Sequence, residues 1–382
     1  MAQIKRILIV CGEASGDLHA AKLAKEILEI NPGVKISGVG GPLLAQTGAQ
    51  IYYDIKDLAV IGIFDVLLKL PVFFFLKRML LEKIKEEKPD AIILIDFSGF
   101  NLRLAKAINK TIPVIYYISP QVWASRPGRV KTIEKYVHKL VVFFKFEQEF
   151  YKERGIEADF VGHPLLDIVK PTMQKQEFLN KLHLRESEII IALLPGSRKS
   201  EVENILPVML DSSVLIKNQI RDARFIIARP PQIDVAIYNG ILCGRDINAE
   251  VIEGKTYDCL NIANFCLVCS GTATLETAIM QKPFVLIYKM GLLNYLFYLP
   301  QVKVPYIGIV NIMAQRKITP EFIQFKATAE KIADEVISTL QDPSKMEQIK
   351  KDLAQIKSML GEPQAASRAA KTILDFLKEK QA

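Results

Sequence analysis

The sequence predicts two doubly wound α/β domains, and three observations carry that prediction. Short apolar runs alternate with longer amphipathic segments along almost the whole chain. Nearly every run ends in a polar or glycine-containing loop, and a polar stretch, 171–188, divides the runs into two series. A chain of 382 residues, half of them hydrophobic, is too long for one ordinary domain and can fill two cores. The expected units are a first domain over 1–170, a second over 171–345, and a Lys/Glu-rich helical tail over 346–382 that packs on the first.

The runs at 4–11, 91–95, 113–118 and 139–143 read as buried parallel strands of the first domain. Those at 189–194, 224–228, 265–269 and 284–288 read as their counterparts in the second. Open parallel sheets bind ligands beyond the carboxyl ends of their strands. Two such sheets imply two sets of loops facing a cleft, with chemistry expected just after strands.

The net charge of +8 suits an anionic partner: nucleotide phosphates, a phospholipid surface or a phosphorylated substrate. A plain solvated basic face explains the same charge. Lys and Arg form no long run and no recognition-helix pattern, which argues against nucleic acid. Cys266 and Cys269 have C-x-x-C spacing without a second pair or a nearby histidine, so buried thiols in a reducing compartment are expected, and no metal site. The first ten residues lack a signal-peptide pattern, and no stretch offers eighteen uncharged apolar residues, so a cytoplasmic chain without a spanning helix is expected.

After the first strand comes Gly12-Glu13-Ala14-Ser15-Gly16-Asp17, with a helix expected from near Leu18. Ser15 and Asp17 are good N-cap residues, and Gly16 lets a ligand approach the backbone. The pattern is neither G-x-G-x-x-G nor a Walker A loop, so nicotinamide and NTPase readings lose their main support. Gly38-Val39-Gly40-Gly41-Pro42 reads as a second glycine-rich turn. Asp96 follows the 91–95 strand, where partial burial can raise its pKa and let it accept a proton from a sugar hydroxyl. Capping the next helix is the competing reading. Trp123 and Arg126 lie in Ser119-Pro120-Gln121-Val122-Trp123-Ala124-Ser125-Arg126-Pro127-Gly128-Arg129, which suits stacking on a sugar ring and pairing with a phosphate, or simply a rigid loop.

In the second domain, Pro195-Gly196-Ser197-Arg198-Lys199-Ser200 leads into a helix with Ser200 and Glu203 as its expected capping box. Helix N-terminal amides together with Arg198 make a pyrophosphate site. Ser270-Gly271-Thr272-Ala273-Thr274-Leu275-Glu276 again joins strand to helix, with small residues for close phosphate contact. Glu276, a turn into that helix, can accept two hydrogen bonds from a ribose diol.

Taken together, these loops resemble the lipid-A-disaccharide synthase family over essentially the full length. The matching stretches are GEASGD, GVGGP, DLAVIGI, IDF-x-x-FN, YYISPQVWA-x-RPGRV, GHPL, LLPGSR-x-x-E, SGTATLE and Val310-Asn311. The resemblance implies a GT-B architecture of two Rossmann-like domains facing a cleft, with the C-terminal helix returning to the first. It also implies an inverting transfer of 2,3-diacylglucosamine from its UDP derivative to the 6-hydroxyl of 2,3-diacylglucosamine 1-phosphate. On that reading Asp96 is the base. Arg198, Ser270, Gly271, Thr272, Thr274, Glu276 and Asn311 serve the nucleotide and donor, and Ser15, Gly16, Asp17, Trp123 and Arg126 the acceptor side. No metal or other cofactor is expected.

Three positions depart from the family pattern. Gly99 stands where many members carry a second aspartate, Gln315 where glycine is common, and Ser125 where an aromatic is common. His19 and His163 follow the pattern and read more readily as structural.

Acylated substrates give the apolar segment 58–81 a role. Asp65, Lys69 and Pro71 interrupt it, so it does not span a bilayer comfortably. Val66, Leu67, Phe73 and Phe74 are expected to rest on the anionic inner face of the inner membrane, with Lys69, Lys77 and Arg78 at the head groups. A buried helix at a domain or subunit contact is the alternative, and a homodimer stays open. The rival functions are another UDP-sugar enzyme of the same fold and a nucleotide-sugar-binding protein without turnover.

Overall fold

A computed structural model describes residues 4–58, 69–124, 127–291, 295 and 304–381. Of the residues singled out above, Val66, Leu67, Ser125 and Arg126 lie outside the described residues. The chain divides into two compact units, Met1–Pro164 with Leu360–Ala382, and Leu165–Met359. The boundaries therefore differ from those expected at 170 and 345. Near the start of the second unit, the buried Asp258 carboxylate accepts hydrogen bonds from the Thr172 amide and hydroxyl, both at 2.7 Å, and from the Met173 amide at 2.9 Å. Those bonds tie the polar stretch to the second unit. The helical tail is split. Helix Pro343–Met359 stays with the second unit, where the half-buried pair Arg316–Asp352 holds it with two bonds, at 2.7 and 3.0 Å. Only helix Ala365–Gln381 joins the first unit.

The first unit is built on a seven-stranded parallel sheet. Its strands are β1 (Arg6–Val10), β2 (Lys35–Gly40), β3 (Gln50–Asp54), β4 (Ala91–Ile95), β5 (Val114–Tyr117), β6 (Lys139–Val142) and β7 (Asp159–Phe160). They run in the order β3-β2-β1-β4-β5-β6-β7. β4 is buried along its whole length, which is why it is an unbroken apolar run, Ala-Ile-Ile-Leu-Ile. Glycines 38 and 40 lie in β2, not in a turn. A Cβ on Gly38 would sit 1.8 Å from the Ile9 carbonyl oxygen, so glycine is what lets β2 lie against β1. Helix Ala14–Ile30 and helix Ala365–Gln381 share one core, in which Ala20, Leu23, Ala24 and Ile27 meet Ala369, Ala370, Ile373 and Leu377.

The second unit repeats the plan with six parallel strands: β8 (Ile189–Leu194), β9 (Ala223–Arg229), β10 (Ala249–Glu253), β11 (Phe265–Cys269), β12 (Phe284–Tyr288) and β13 (Glu321–Ile323). Their order is β10-β9-β8-β11-β12-β13. In both sheets the strand order reverses between two central strands, β1 and β4 in one, β8 and β11 in the other. Loops leaving the carboxyl ends of those pairs splay apart and open a crevice.

Where the chain passes out of the first unit and back into it, the two passing segments are joined. The His163 amide donates to the Leu360 carbonyl at 2.9 Å, and the Arg368 guanidinium donates to the carbonyls of Val161, Glu362 and Pro363.

Helix Leu70–Glu87 buries Leu76, Leu80 and Ile84, spaced four residues apart along one face. Phe73 also turns inward, against the rings of Phe97 and Phe100, which removes it from any membrane-facing set. Phe74 and Phe75 face solvent, 67% and 60% exposed. Among the described residues no helix is long and apolar enough to cross a membrane.

Candidate active site

In the first unit, the loop after β4 is held in an unusual backbone. Asp96 and Phe97 both have φ of 45°, and Ile118, just past β5, has φ of 66°. Left-handed backbone is costly for residues with a Cβ, most of all for a β-branched one, so something must hold it. The Asp96 carbonyl provides the anchor, accepting from the Tyr116 hydroxyl at 2.6 Å and the Asn101 amide at 2.9 Å. The next helix starts at Ser98 with Phe97 at its N-cap, so Asp96 is not the capping residue. Gly12 completes the fit, because a Cβ there would lie within 2.5 Å of the Phe97 ring.

This placement leaves the Asp96 side chain half-buried and raises its pKa, chiefly through burial and secondly through the negative charge of Glu13. The Phe97 amide works in the opposite direction. Glu13, part of the GEASGD motif, acts here through its charge on Asp96. Glu13 lies three residues past the end of β1 and Asp96 one past the end of β4, and because those strands are neighbours the two acids come close.

The acceptor-side residues separate into groups. The helix begins at Ala14 with Glu13 at its N-cap, earlier than Leu18. Ser15 is exposed in the first turn, and Gly16 is buried against Cys11. Asp17 is scaffold: its buried carboxylate accepts from the amides of Gly41 (2.7 Å), Leu43 (3.0 Å) and Leu44 (3.1 Å), capping helix Pro42–Ala45. Trp123 is half-buried, with its indole N–H donating to Glu147 at 3.1 Å and its ring edge-on to Phe146. Burial pushes the Glu147 carboxyl up to about 7, although the Trp123 and Phe144 N–H groups oppose this. His19 and His163 each stand edge-on to the Phe143 ring at 5.5 Å, and burial lowers their pKa values to about 4 and about 3. They are neutral core groups.

In the second unit a cavity of about 410 Å³ opens where the strand order reverses, between the loops leaving β8 and β11. Its lining includes Gly196, Ser197, Arg198, Glu201, Thr256, Ser270, Gly271, Thr272 and Glu276. Helix Lys199–Gln219 has Arg198 at its N-cap, so the carboxylate reaching back is Glu201, not Glu203. Glu201 accepts from the amides of Ser197 (2.9 Å) and Arg198 (3.2 Å) and from the Arg198 guanidinium (3.0 Å). The expected Ser200–Glu203 box is absent because the helix starts earlier; Glu203 pairs with Lys199 instead.

Helix Thr272–Ile279 points its N-terminus into the same cavity. Glu276 forms another part of the wall, with burial raising its pKa and the Tyr257 hydroxyl, 2.9 Å away, opposing that rise. A cation beside helix N-termini offers a place for a diphosphate, and a carboxylate in the same cavity offers acceptors for a diol.

Two residues expected in this set are scaffold. Thr274 is buried and donates its hydroxyl to the Gly271 carbonyl at 2.8 Å. Asn311 is fully buried and spends its amide on Thr319 and Glu321 while accepting from the Ile318 and Thr319 amides. Gln315 caps the helix Ile309–Ala314 in a left-handed conformation, φ 54°, so the tight turn survives without glycine. Among the described residues no group of three His, Cys, Asp or Glu side chains has the spacing of a metal site.

A family model described as lipid-A-disaccharide synthetase matches residues 7–375. The lipid-A-disaccharide synthase of Syntrophus aciditrophicus is 41% identical over 98% of both chains, and that of Geobacter sulfurreducens 38% identical over 97% of both. Among solved structures, a UDP-GlcNAc 2-epimerase from Neisseria meningitidis bound to UDP-GlcNAc aligns with a TM-score of 0.62 at 13% identity, covering 98% of this chain and 100% of that one. Acinetobacter baumannii MurG aligns at 0.58 and 13% identity, covering 97% and 99%. These structural likenesses show the GT-B fold of paired Rossmann-like domains. The full-length family match and the close relatives go further: the chain belongs to the lipid-A-disaccharide synthetase family.

Proposed function

We propose that this glycosyltransferase of lipid A biosynthesis moves 2,3-diacylglucosamine from its UDP derivative onto the 6-hydroxyl of 2,3-diacylglucosamine 1-phosphate, releasing UDP and forming a β-1,6 disaccharide. The observation that carries the reading is the second unit's cavity, where Arg198, a helix N-terminus and Glu276 line one space. Arg198 and the amides at Gly271–Thr272 receive the diphosphate, and Glu276 receives the ribose diol. Asp96, with its pKa raised by burial, takes the proton of the acceptor hydroxyl as that oxygen attacks the donor's anomeric carbon. The anomeric C–O bond to the diphosphate breaks with inversion, and the negative charge leaves on UDP, which Arg198 and the helix N-terminus stabilise.

The reaction needs no metal on this reading, because a guanidinium and a helix N-terminus supply the positive potential. The acyl chains reach the enzyme at the inner face of the inner membrane, where Phe74 and Phe75 beside Lys77 and Arg78 form the contact. The test is to incubate the protein with both acylated sugars, with and without EDTA, and follow UDP and disaccharide. The expected result is equal UDP and disaccharide in both arms. UDP release without disaccharide would overturn the transfer, and activity lost to EDTA and restored by Mg²⁺ would overturn the metal-free charge stabilisation.

A further inference from the structure

The candidate site leaves one polar contact without a role. Tyr257 lies in the first turn of helix Thr256–Ile262, just after β10, and its hydroxyl donates to Oε1 of Glu276 at 2.9 Å. Its neighbour Thr256 lines the cavity, as does Glu276. Tyr257 is only half-buried, and a tyrosine at such a position can usually keep its hydroxyl in water. The bond instead acts on Glu276. A glutamate has three side-chain torsions, and on a helix its carboxylate can sweep a wide arc. Fixing one oxygen leaves the other, and the remaining lone pair of the first, at a defined place in the cavity.

We propose that Tyr257 is a positioning residue for nucleotide recognition, which orients Glu276 toward the ribose diol and so sets selectivity for a ribonucleotide over its 2′-deoxy counterpart. This rests on the reading of the cavity as the UDP site. The logic is that of any oriented polar pair: a site built to accept hydrogen bonds from a hydroxyl pair rejects the ligand lacking one, but only while the acceptor is held in place. Two effects follow. Loss of the Tyr257 hydroxyl weakens the ribonucleotide more than the deoxyribonucleotide, because only the former uses the full oriented acceptor set. It also removes the bond that opposes the burial-driven rise of the Glu276 pKa, so the carboxylate protonates at higher pH.

The experiment is calorimetric titration of UDP and 2′-deoxy-UDP into the parent, Tyr257→Phe, Glu276→Gln and the double variant, repeated at a series of pH values from neutral downward. The parent is expected to prefer UDP. Tyr257→Phe should weaken UDP roughly tenfold or less, compress the UDP/deoxy-UDP ratio, and move the acid loss of UDP affinity to higher pH. In the Glu276→Gln background, Tyr257→Phe should have no further effect. An unchanged ratio and pH midpoint in Tyr257→Phe, with Glu276→Gln still impaired, would overturn the role of Tyr257 while leaving the UDP site standing. Parent protein that does not bind UDP, or Glu276→Gln that binds it normally, would overturn the site itself. If Tyr257→Phe melts early, the parent decides: a UDP/deoxy-UDP affinity ratio that does not fall as pH drops also refutes the proposal.

Discussion

Replacing Asn311 with alanine separates a scaffold role from a ligand role, and its cost can be worked from the structure. The side chain is fully buried and makes four hydrogen bonds of 2.8–2.9 Å. Truncation leaves the Ile318 and Thr319 amides and the Thr319 carbonyl without these partners. Glu321 keeps bonds from the Ile307 and Gly308 amides, so it is spared. A buried group left unpaired costs about 1–3 kcal/mol, so three such groups with partial relaxation put the loss at about 3–6 kcal/mol. That is a large share of the roughly 5–15 kcal/mol that holds a typical folded protein. The urea midpoint of the second unit should fall by about 1–3 M, taking an ordinary denaturant slope. UDP affinity of the remaining folded fraction, titrated well below the midpoint, should match the parent. A variant that unfolds like the parent but no longer binds UDP would refute the reasoning and return Asn311 to the ligand set.

Asp96→Asn should lose roughly 10²–10⁴-fold in turnover and keep UDP affinity, since a general base acts on the acceptor; near-normal turnover would remove Asp96 from the mechanism. The base works deprotonated, so turnover should fall as pH drops through its raised pKa, and Glu13→Gln, by removing a charge that adds to that rise, should move the acid limb of the profile to lower pH. Phe74→Ser with Phe75→Gln should release the protein from anionic vesicles without lowering its melting temperature, because both side chains already face solvent; retention on vesicles equal to the parent's would defeat the membrane contact. Gln315→Gly should raise stability by up to about 1 kcal/mol, since glycine carries no Cβ penalty at φ 54°, and a lower melting temperature would mean the Gln315 side chain matters more than its backbone.

The central strands were legible because burial on both faces demands unbroken apolar runs: β4, β8, β11 and β12 have the ends that the runs predict. β3, β10 and β13 were not, because partly exposed strands such as Ala-Glu-Val-Ile-Glu carry no such run. β2 was hidden by its glycines, which signal a turn locally but serve a close strand approach. Motifs pointed to the loops that line the second unit's cavity, but not to which side chains within the motifs are spent on backbone groups. Asp17, Thr274 and Asn311 hold backbone groups that are distant in sequence or invisible to residue patterns, and a polar residue in a motif reads the same whether it faces a ligand or a carbonyl.

The split of the chain also has a consequence for how the protein comes to exist on the ribosome. Helix Ala14–Ile30 is made near the start, but the helix that covers its apolar side, Ala365–Gln381, emerges only after all of Leu165–Met359. At roughly 5–20 residues per second that interval is on the order of tens of seconds, and for its duration Leu23 and Ile27 lack their final neighbours. The inserted unit can fold completely while the earlier one waits with an unfinished core. Nascent chains of this topology should therefore recruit holding chaperones at the first unit and not at the second, and a stall near residue 360 should leave a folded second unit attached to an aggregation-prone first.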